Sequence, residues 1–279
     1  QSSAPNAGAT DTNATGVTAA WPFFGPLGRF YVSDFLNARI VGFASPPPGS
    51  LTPASLVLGQ PDFVSNTPAA TDSGMSRPRA LSSDGTLLFV PDQGLHRVTV
   101  FNLSTATNGA KATAVIGQPS LFSAAGNAGG LSATSLLSPC STAVTPLPQR
   151  YLFVADSGNH RVLRYPISTV PAASLAADLV LGQANMTSGL PNRGAPPSAA
   201  SMLVPFSADT NGTRLVVSDY ANHRVLIWNA MPTVSGQPAD VVLGQPDASS
   251  NIPNNPPIRG PLLFRGVQGV DTDGKRLVV

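Results

Sequence analysis

The chain has 279 residues, enough for one large all-β domain or two smaller ones, and 11% of them are charged. Its net charge of +2 is too weak a field to support a nucleic-acid or membrane-surface partner, and no apolar run reaches the ~18 residues that span a bilayer. With 26 glycines and 28 prolines but 42% hydrophobic residues in short, regular runs, the composition is unlike disorder, and the lone Cys140 excludes an internal disulfide framework.

The runs repeat. In chain order, RFYVSDFLNARIVGF, LLFVPDQGLHRVTVF, YLFVADSGNHRVLRY and RLVVSDYANHRVLIW place Asp34, Asp92, Asp156 and Asp219 at intervals of 58, 64 and 63 residues. Each run is followed by a second landmark, SLVLGQ, TAVIGQ, DLVLGQ and DVVLGQ, whose glutamines (Gln60, Gln118, Gln183, Gln245) are 58, 65 and 62 residues apart. Two landmarks with one period define a tandem repeat of roughly sixty residues. β-branched and aromatic residues bounded by Gly, Asn and Asp predict four strands per unit. The first, weakly patterned, lies near Arg79–Ser83, Ser141–Thr145, Phe206–Asp209 and Gly266–Asp271. A second ends at the repeat aspartate, a third begins at the following arginine (Arg161–Tyr165, for instance), and a fourth precedes the glutamine (Leu179–Leu181). Continuous apolar runs such as FVAD and VVSD predict sheets buried on both faces. Radially arranged sheets of this kind make a β-propeller.

VADSGNHRVLRY, VSDYANHRVLIW and VPDQGLHRVTVF resemble the NHL family of propeller repeats, in register along essentially the whole chain. LGQ followed by Pro61-Asp62-Phe63 or Pro246-Asp247-Ala248 resembles a bacterial subgroup of those proteins. The first unit departs from the pattern, with Ala38 in the histidine slot. The reading is a single propeller over 1–279, with units at about 1–60, 61–118, 119–183 and 184–245 and a partial fifth at 246–279. Gln1 falls in the slot of the landmark glutamine and the chain stops at Arg276–Val279, half-way through the fifth unit, so it is expected to be a piece of a six-bladed ring, the alternative being that the terminal strands pair with the first unit and close a smaller one.

The chemistry-bearing residues mostly belong to the repeat. His96, His160 and His223 share one slot between the second and third strands, which predicts a structural role, and Asp34–Arg39, Asp92–Arg97, Asp156–Arg161 and Asp219–Arg224 are read as structural pairs. The aspartates are expected to accept from loop amides and from the Arg or His across the hairpin, with Gly94 and Gly158 giving turn flexibility and Asn37, Asn159 and Asn222 taking unusual backbone angles. Phe43, Phe101, Tyr165 and Trp228 are read as blade core. There is no glutamate, and Asp84, Asp209, Asp271 and Asp273 are assigned to the turn after the innermost strand. No phosphate loop, zinc spacing, haem attachment or nucleophile elbow is present, so no catalytic residue, metal ligand or cofactor is expected.

What varies between units is the better guide to function. The innermost-strand slot after Pro holds Arg79, Cys140 and Phe206, with Arg265 similarly placed in the fifth unit, which makes these four the candidate ligand-binding residues at the central channel. The linkers 61–76, 119–137, 184–200 and 246–260 are a second candidate surface. The expectation is a non-enzymatic binding or scaffold propeller, extracellular or on a cell surface, taking a protein, small-molecule or glycan partner. The alternative, which the resemblance implies, is a metal-dependent lyase or hydrolase with its site in the channel, although His and acidic ligands are not expected on these inner strands.

Overall fold

The computed structural model describes residues 20–25, 28–49, 52–167, 171, 174–253 and 264–279. Gln1 and Asp11 lie outside the described residues, as does part of the 246–260 linker. Four antiparallel sheets of four strands follow one another, each paired strictly in sequence order: β1 (Ala20–Phe24) to β4 (Leu56–Leu58), through β2 (Phe30–Asp34) and β3 (Arg39–Phe43). The second holds β5 (Ser82–Ser83), β6 (Leu87–Asp92), β7 (Arg97–Asn102) and β8 (Ala114–Ile116). The third holds β9 (Ser141–Val144), β10 (Tyr151–Asp156), β11 (Arg161–Pro166) and β12 (Leu179–Leu181). The fourth holds β13 (Pro205–Thr210), β14 (Leu215–Asp219), β15 (Arg224–Trp228) and β16 (Val241–Leu243). A two-stranded fifth sheet, β17 (Asp271–Thr272) with β18 (Leu277–Val278), begins another blade. The repeat is therefore one blade per unit.

The double burial predicted from the apolar runs follows from the pleat, which sends successive side chains to opposite faces. On β10, Leu152 and Val154 pack into the layer shared with the second blade, whereas Phe153 packs into the layer shared with the fourth. On β6, Leu87 and Phe89 face the third blade while Leu88 and Val90 face the first. The three layers between successive blades, continued by a fourth in which Val216 and Val225 pack against Val267 and Val270, constitute the core. Phe101, Tyr165 and Trp228 are buried in those layers, and Phe43 is partly exposed at the first blade's outer side. The inner strands β5, β9, β13 and β17 pack in turn on one another and surround a cavity of about 260 Å³, the central channel, which Phe24 of β1 also lines.

Between β2 and β3, and at each equivalent hairpin, one buried pair organises the chain. The carboxylate Oδ2 of Asp34, Asp92, Asp156 and Asp219 accepts from Nε of Arg39, Arg97, Arg161 and Arg224 at 2.9, 3.1, 2.7 and 2.8 Å, with every member fully buried. Asn37, Asn159 and Asn222 donate to the same oxygen. Oδ1 accepts a backbone N–H where the linker enters the blade: Ser76, Leu137 and Leu203 at 2.9, 2.7 and 2.7 Å. The arginine then ties both linkers. Nη2 of Arg161 donates to Ser132 O and Ser135 O upstream, and Nη1 donates to Met186 O downstream at 2.6 Å. Arg224 repeats the scheme on Ser198, Ser201 and Ala248, and Arg97 on Gly74, Thr71 and Leu121. Arg39 donates to Phe63 O. Burial raises the carboxyl pKa of Asp92, Asp156 and Asp219 against the pull of the guanidinium. The pair thus stands on its complete set of donors and acceptors.

Three local expectations are corrected here. The histidines do not donate to the aspartates; His96, His160 and His223 instead accept at Nδ1 the backbone N–H of Ser138, Val204 and Gly266 in the next unit, at 3.1, 3.2 and 3.0 Å. The unusual backbone angle falls one residue after the asparagine, with φ of 53–54° at Ala38, His96, His160 and His223, because Asn37, Asn159 and Asn222 spend their side chains on the aspartate. Gly94 and Gly158 are required by close approach, since a Cβ on Gly158 would lie 2.7 Å from Leu137 O and one on Gly94 would strike Ser76. The landmark glutamine completes the join. Gln118, Gln183 and Gln245 each donate both amide hydrogens, to the carbonyl of His96, His160 or His223 and to that of Ala125, Leu190 or Ile252. This fixes the amide orientation, because the flipped form would set oxygen against oxygen.

Removing the Arg161 guanidinium strands a buried carboxylate and frees three linker carbonyls. Arg161→Ala is expected to lower unfolding free energy by about 3–5 kcal/mol. Arg161→Lys should recover only part of it, because a single ammonium cannot reproduce the planar fork. Urea unfolding followed by far-UV circular dichroism measures both. Arg276→Ala, which removes an exposed pair with Asp273, should leave the midpoint unchanged.

Candidate functional site at the channel mouth

Linkers and hairpin turns between second and third strands meet at one end of the channel. The hydrogen-bond register aligns the innermost strands: Pro78, Pro139 and Pro205 stand opposite or beside Asp92, Asp156 and Asp219, and Ala20 pairs with Asp34. The following slot therefore holds Trp21, Arg79, Cys140 and Phe206. In the fifth unit the residue that donates to the histidine is Gly266, where the others have Ser138 and Val204, so the slot belongs to Gln268. Arg265 lies three residues earlier, exposed and beside His223, whose pKa it lowers after the larger effect of burial. The spacing in that unit misled because Phe264-Arg265 has no proline to mark the register.

Arg79, Phe206 and Cys140 are brought together. The Arg79 guanidinium carbon lies 4.3 Å from the Phe35 ring centroid, 4.6 Å from Trp21 and 5.1 Å from Phe206, so one cation meets rings from two other blades. Such contacts are worth about 0.5–2 kcal/mol each, rising as water is excluded. Phe206 in turn stacks on Tyr220 at 5.5 Å. Nε of Arg79 donates to Oε1 of Gln93 at 2.9 Å, and Nε2 of Gln93 donates to Sγ of Cys140 at 3.2 Å. Cys140 is 2% exposed, and burial pushes its thiol pKa up, which makes it a packing group here rather than a nucleophile. Trp21, Phe35, Gln93 and Tyr220 are site residues that inspection of the sequence missed. The signal was available: Phe35, Gln93, Ser157 and Tyr220 all follow the repeat aspartate, and that slot varies as much as the inner-strand slot.

At the other end of the channel a second correction arises. Asp209 and Asp271 sit in β13 and β17 and line the cavity, not the turns. The turns are set two residues later, where Asn211 accepts from Thr213 and Arg214 N–H and Asp273 from Lys275 and Arg276 N–H. Asp84 is in its turn as expected, accepting from Thr86 and Leu87 N–H. The inner strands therefore do carry acidic groups, from neighbouring blades. Asp209 Oδ2 accepts Thr272 N–H at 2.7 Å, while burial, and secondarily the charge of Asp271, pushes its pKa up to about 6. Among the described residues no group of three or more His, Cys, Asp or Glu forms a metal cage.

The fold and the mouth define the class: an all-β propeller with a variable aromatic and cationic cluster on a repeated frame. No family model matches the chain, and no curated protein matches it. Among solved structures, a chain of a nidogen/laminin complex is similar at 16% identity and a TM-score of 0.43, over 75% of this chain and 59% of that one. The hydrazine synthase of Kuenenia stuttgartiensis is similar at 16% identity and a TM-score of 0.35, over 55% of this chain and 32% of that one. The chain spans less than two thirds of either. The fold rests on the strand pairing and blade packing given above.

Asp209 yields a pH test. Its folded pKa lies above the unfolded value near 3.9, so the folded state binds the extra proton between about pH 4 and 6. Its contribution to stability is complete below pH 4 and is lost as pH rises through 6. Asp209→Asn should melt higher than the parent at pH 7.5, and the two melting temperatures should converge towards pH 4. Parallel thermal melts across that range measure the difference.

Proposed function

We propose that this chain is a non-enzymatic binding propeller of the NHL-repeat kind, acting outside the cell or on its surface, and that its partner docks at the channel mouth over Arg79. The observation that carries the reading is the half-buried Arg79, enclosed by Phe35, Trp21 and Phe206. These residues vary from blade to blade, while the Asp–Arg frame beneath them is held constant. A rigid frame with loops gathered at one end suits recognition, because the binding groups are ordered before the partner arrives. The NHL kinship is supported by the aspartate and arginine, which make the same bond in successive blades, and by the histidine or alanine slot, which keeps one left-handed backbone angle. The placement outside the cell is supported by the sparse charge and Ser/Thr/Asn-rich linkers.

The test is binding of fluorescently labelled protein to peptide and glycan arrays. Features bound by the parent should weaken at least tenfold with Arg79→Ala and Phe206→Ala, and persist with Arg214→Ala, which alters the opposite end. Binding that ignores both mouth substitutions overturns the reading. Protease shaving of intact source cells checks the location: release of the chain supports it, and full protection contradicts it.

A further inference from the structure

Beside the aromatic contacts lies a cavity of about 590 Å³ lined by Arg77, Arg79, Gln93, His96 and Ser138, predominantly polar in its surface. Two guanidinium groups converge on it: Arg79 at 4.3 Å and Arg77 at 5.9 Å from the same Phe35 ring. Among the described residues every other buried or half-buried arginine has a terminal nitrogen engaged: Arg150 by Asp84, Arg164 by Asp178, Arg193 by backbone carbonyls, and the four repeat arginines by linker carbonyls beside their aspartates. Among the described residues no carboxylate pairs with Arg77 or Arg79. Nor is either terminal nitrogen of Arg79, or any side-chain nitrogen of Arg77, engaged in a hydrogen bond there.

The second blade is alone in this. The slots of Arg77 and Arg79 hold Ser138 and Cys140 in the third blade, Val204 and Phe206 in the fourth, and Gly266 and Gln268 in the fifth. Holding two like charges near one ring, one of them half-buried, is unfavourable for the empty protein. Burial and then Arg77 lower the pKa of Arg79. Gln93 fixes Arg79 through Nε, which leaves the terminal edge of the fork unspent and preset in direction. A planar fork with that edge free matches two oxygens of a carboxylate, phosphate or sulfate. His96 adds no negative charge, and its Nδ1 is already committed to the Ser138 N–H.

We propose that this cavity is an oxyanion site, in which Arg77 and Arg79 together bind a carboxylate, phosphate or sulfate group of the partner while the rings of Trp21 and Phe206 contact the part that carries it. It rests on the channel mouth being the docking surface, and adds the chemistry of what docks.

The experiment is titration of the whole chain with sodium sulfate, inorganic phosphate and acetate at ionic strength held constant with sodium chloride, followed by melting temperature and by tryptophan fluorescence. Trp21 reports on the site, since Trp228 is fully buried in the blade core. The parent should show a saturable rise in melting temperature absent from chloride alone, and the order of the three anions identifies the group. Arg77→Ala, which changes an exposed side chain, should fold, weaken the response at least tenfold, and melt no lower than the parent without anion, because a repulsion is relieved. Arg79→Lys should weaken it several-fold by losing the fork. A response equal to that of chloride, or one unchanged by Arg77→Ala, overturns the inference. If array binding still depends on Phe206 in that event, the docking reading survives without the oxyanion; if both fail, both are wrong.

Discussion

Each blade of this propeller is held by a carboxylate and a guanidinium that never meet water. The pair is costly to bury, and it is tolerated because its remaining donors and acceptors are taken up by linker backbone and, in three of the blades, by a repeat asparagine. Irregular linkers run over each hairpin, and their carbonyls and amides would be unmatched beneath the surface were the fork not there to collect them. The same side chains therefore close the hairpin, start the inner strand and seat the entry to the next blade. The histidine and the landmark glutamine extend this join to the next unit, so successive sheets are coupled through polar contacts on one side and apolar layers between their faces. In a chain with so few charges, these are placed where geometry uses them fully.

That economy leaves the mouth of the channel free to vary. None of Trp21, Arg79, Cys140 or Phe206 belongs to the Asp–Arg frame, and neither do Phe35, Gln93 or Tyr220. Substitution at these positions changes what the mouth presents without touching the bonds that hold the blade. The two unmatched arginines of the second blade stand out against this background because, among the described residues, every other buried or half-buried arginine has a terminal nitrogen held by a carboxylate or a backbone carbonyl.

The blades were legible in the sequence because two landmarks recurred with one period, and because double burial forces apolar residues into unbroken runs. The pairing of Asp156 with Arg161 was legible from spacing alone, since five residues across a tight hairpin bring the two side chains face to face. The left-handed backbone at His160 was not, because the residue type gave no cue: asparagine is the usual occupant of such angles, and here Asn159 is engaged elsewhere. Asp209 and Asp271 were misplaced because their meeting is made by adjacent blades, and nothing local distinguishes a residue within a short inner strand from one in the turn that follows it. Arg265 failed for a register slip of three residues. The aromatic neighbours of Arg79 come from other blades, and only their variability at an otherwise repeated position marked them.

The outermost strands β4, β8, β12 and β16 are each three residues long. A sheet edge that short offers a foreign strand hardly one full set of backbone bonds before the chain turns away. Proteins with sparse charge have little colloidal repulsion to keep copies apart, and an extended apolar edge would invite edge-on polymerisation. Here the protection is geometric: each blade ends before it can serve as a template, so repetition of sticky sheets does not become repetition of sticky edges.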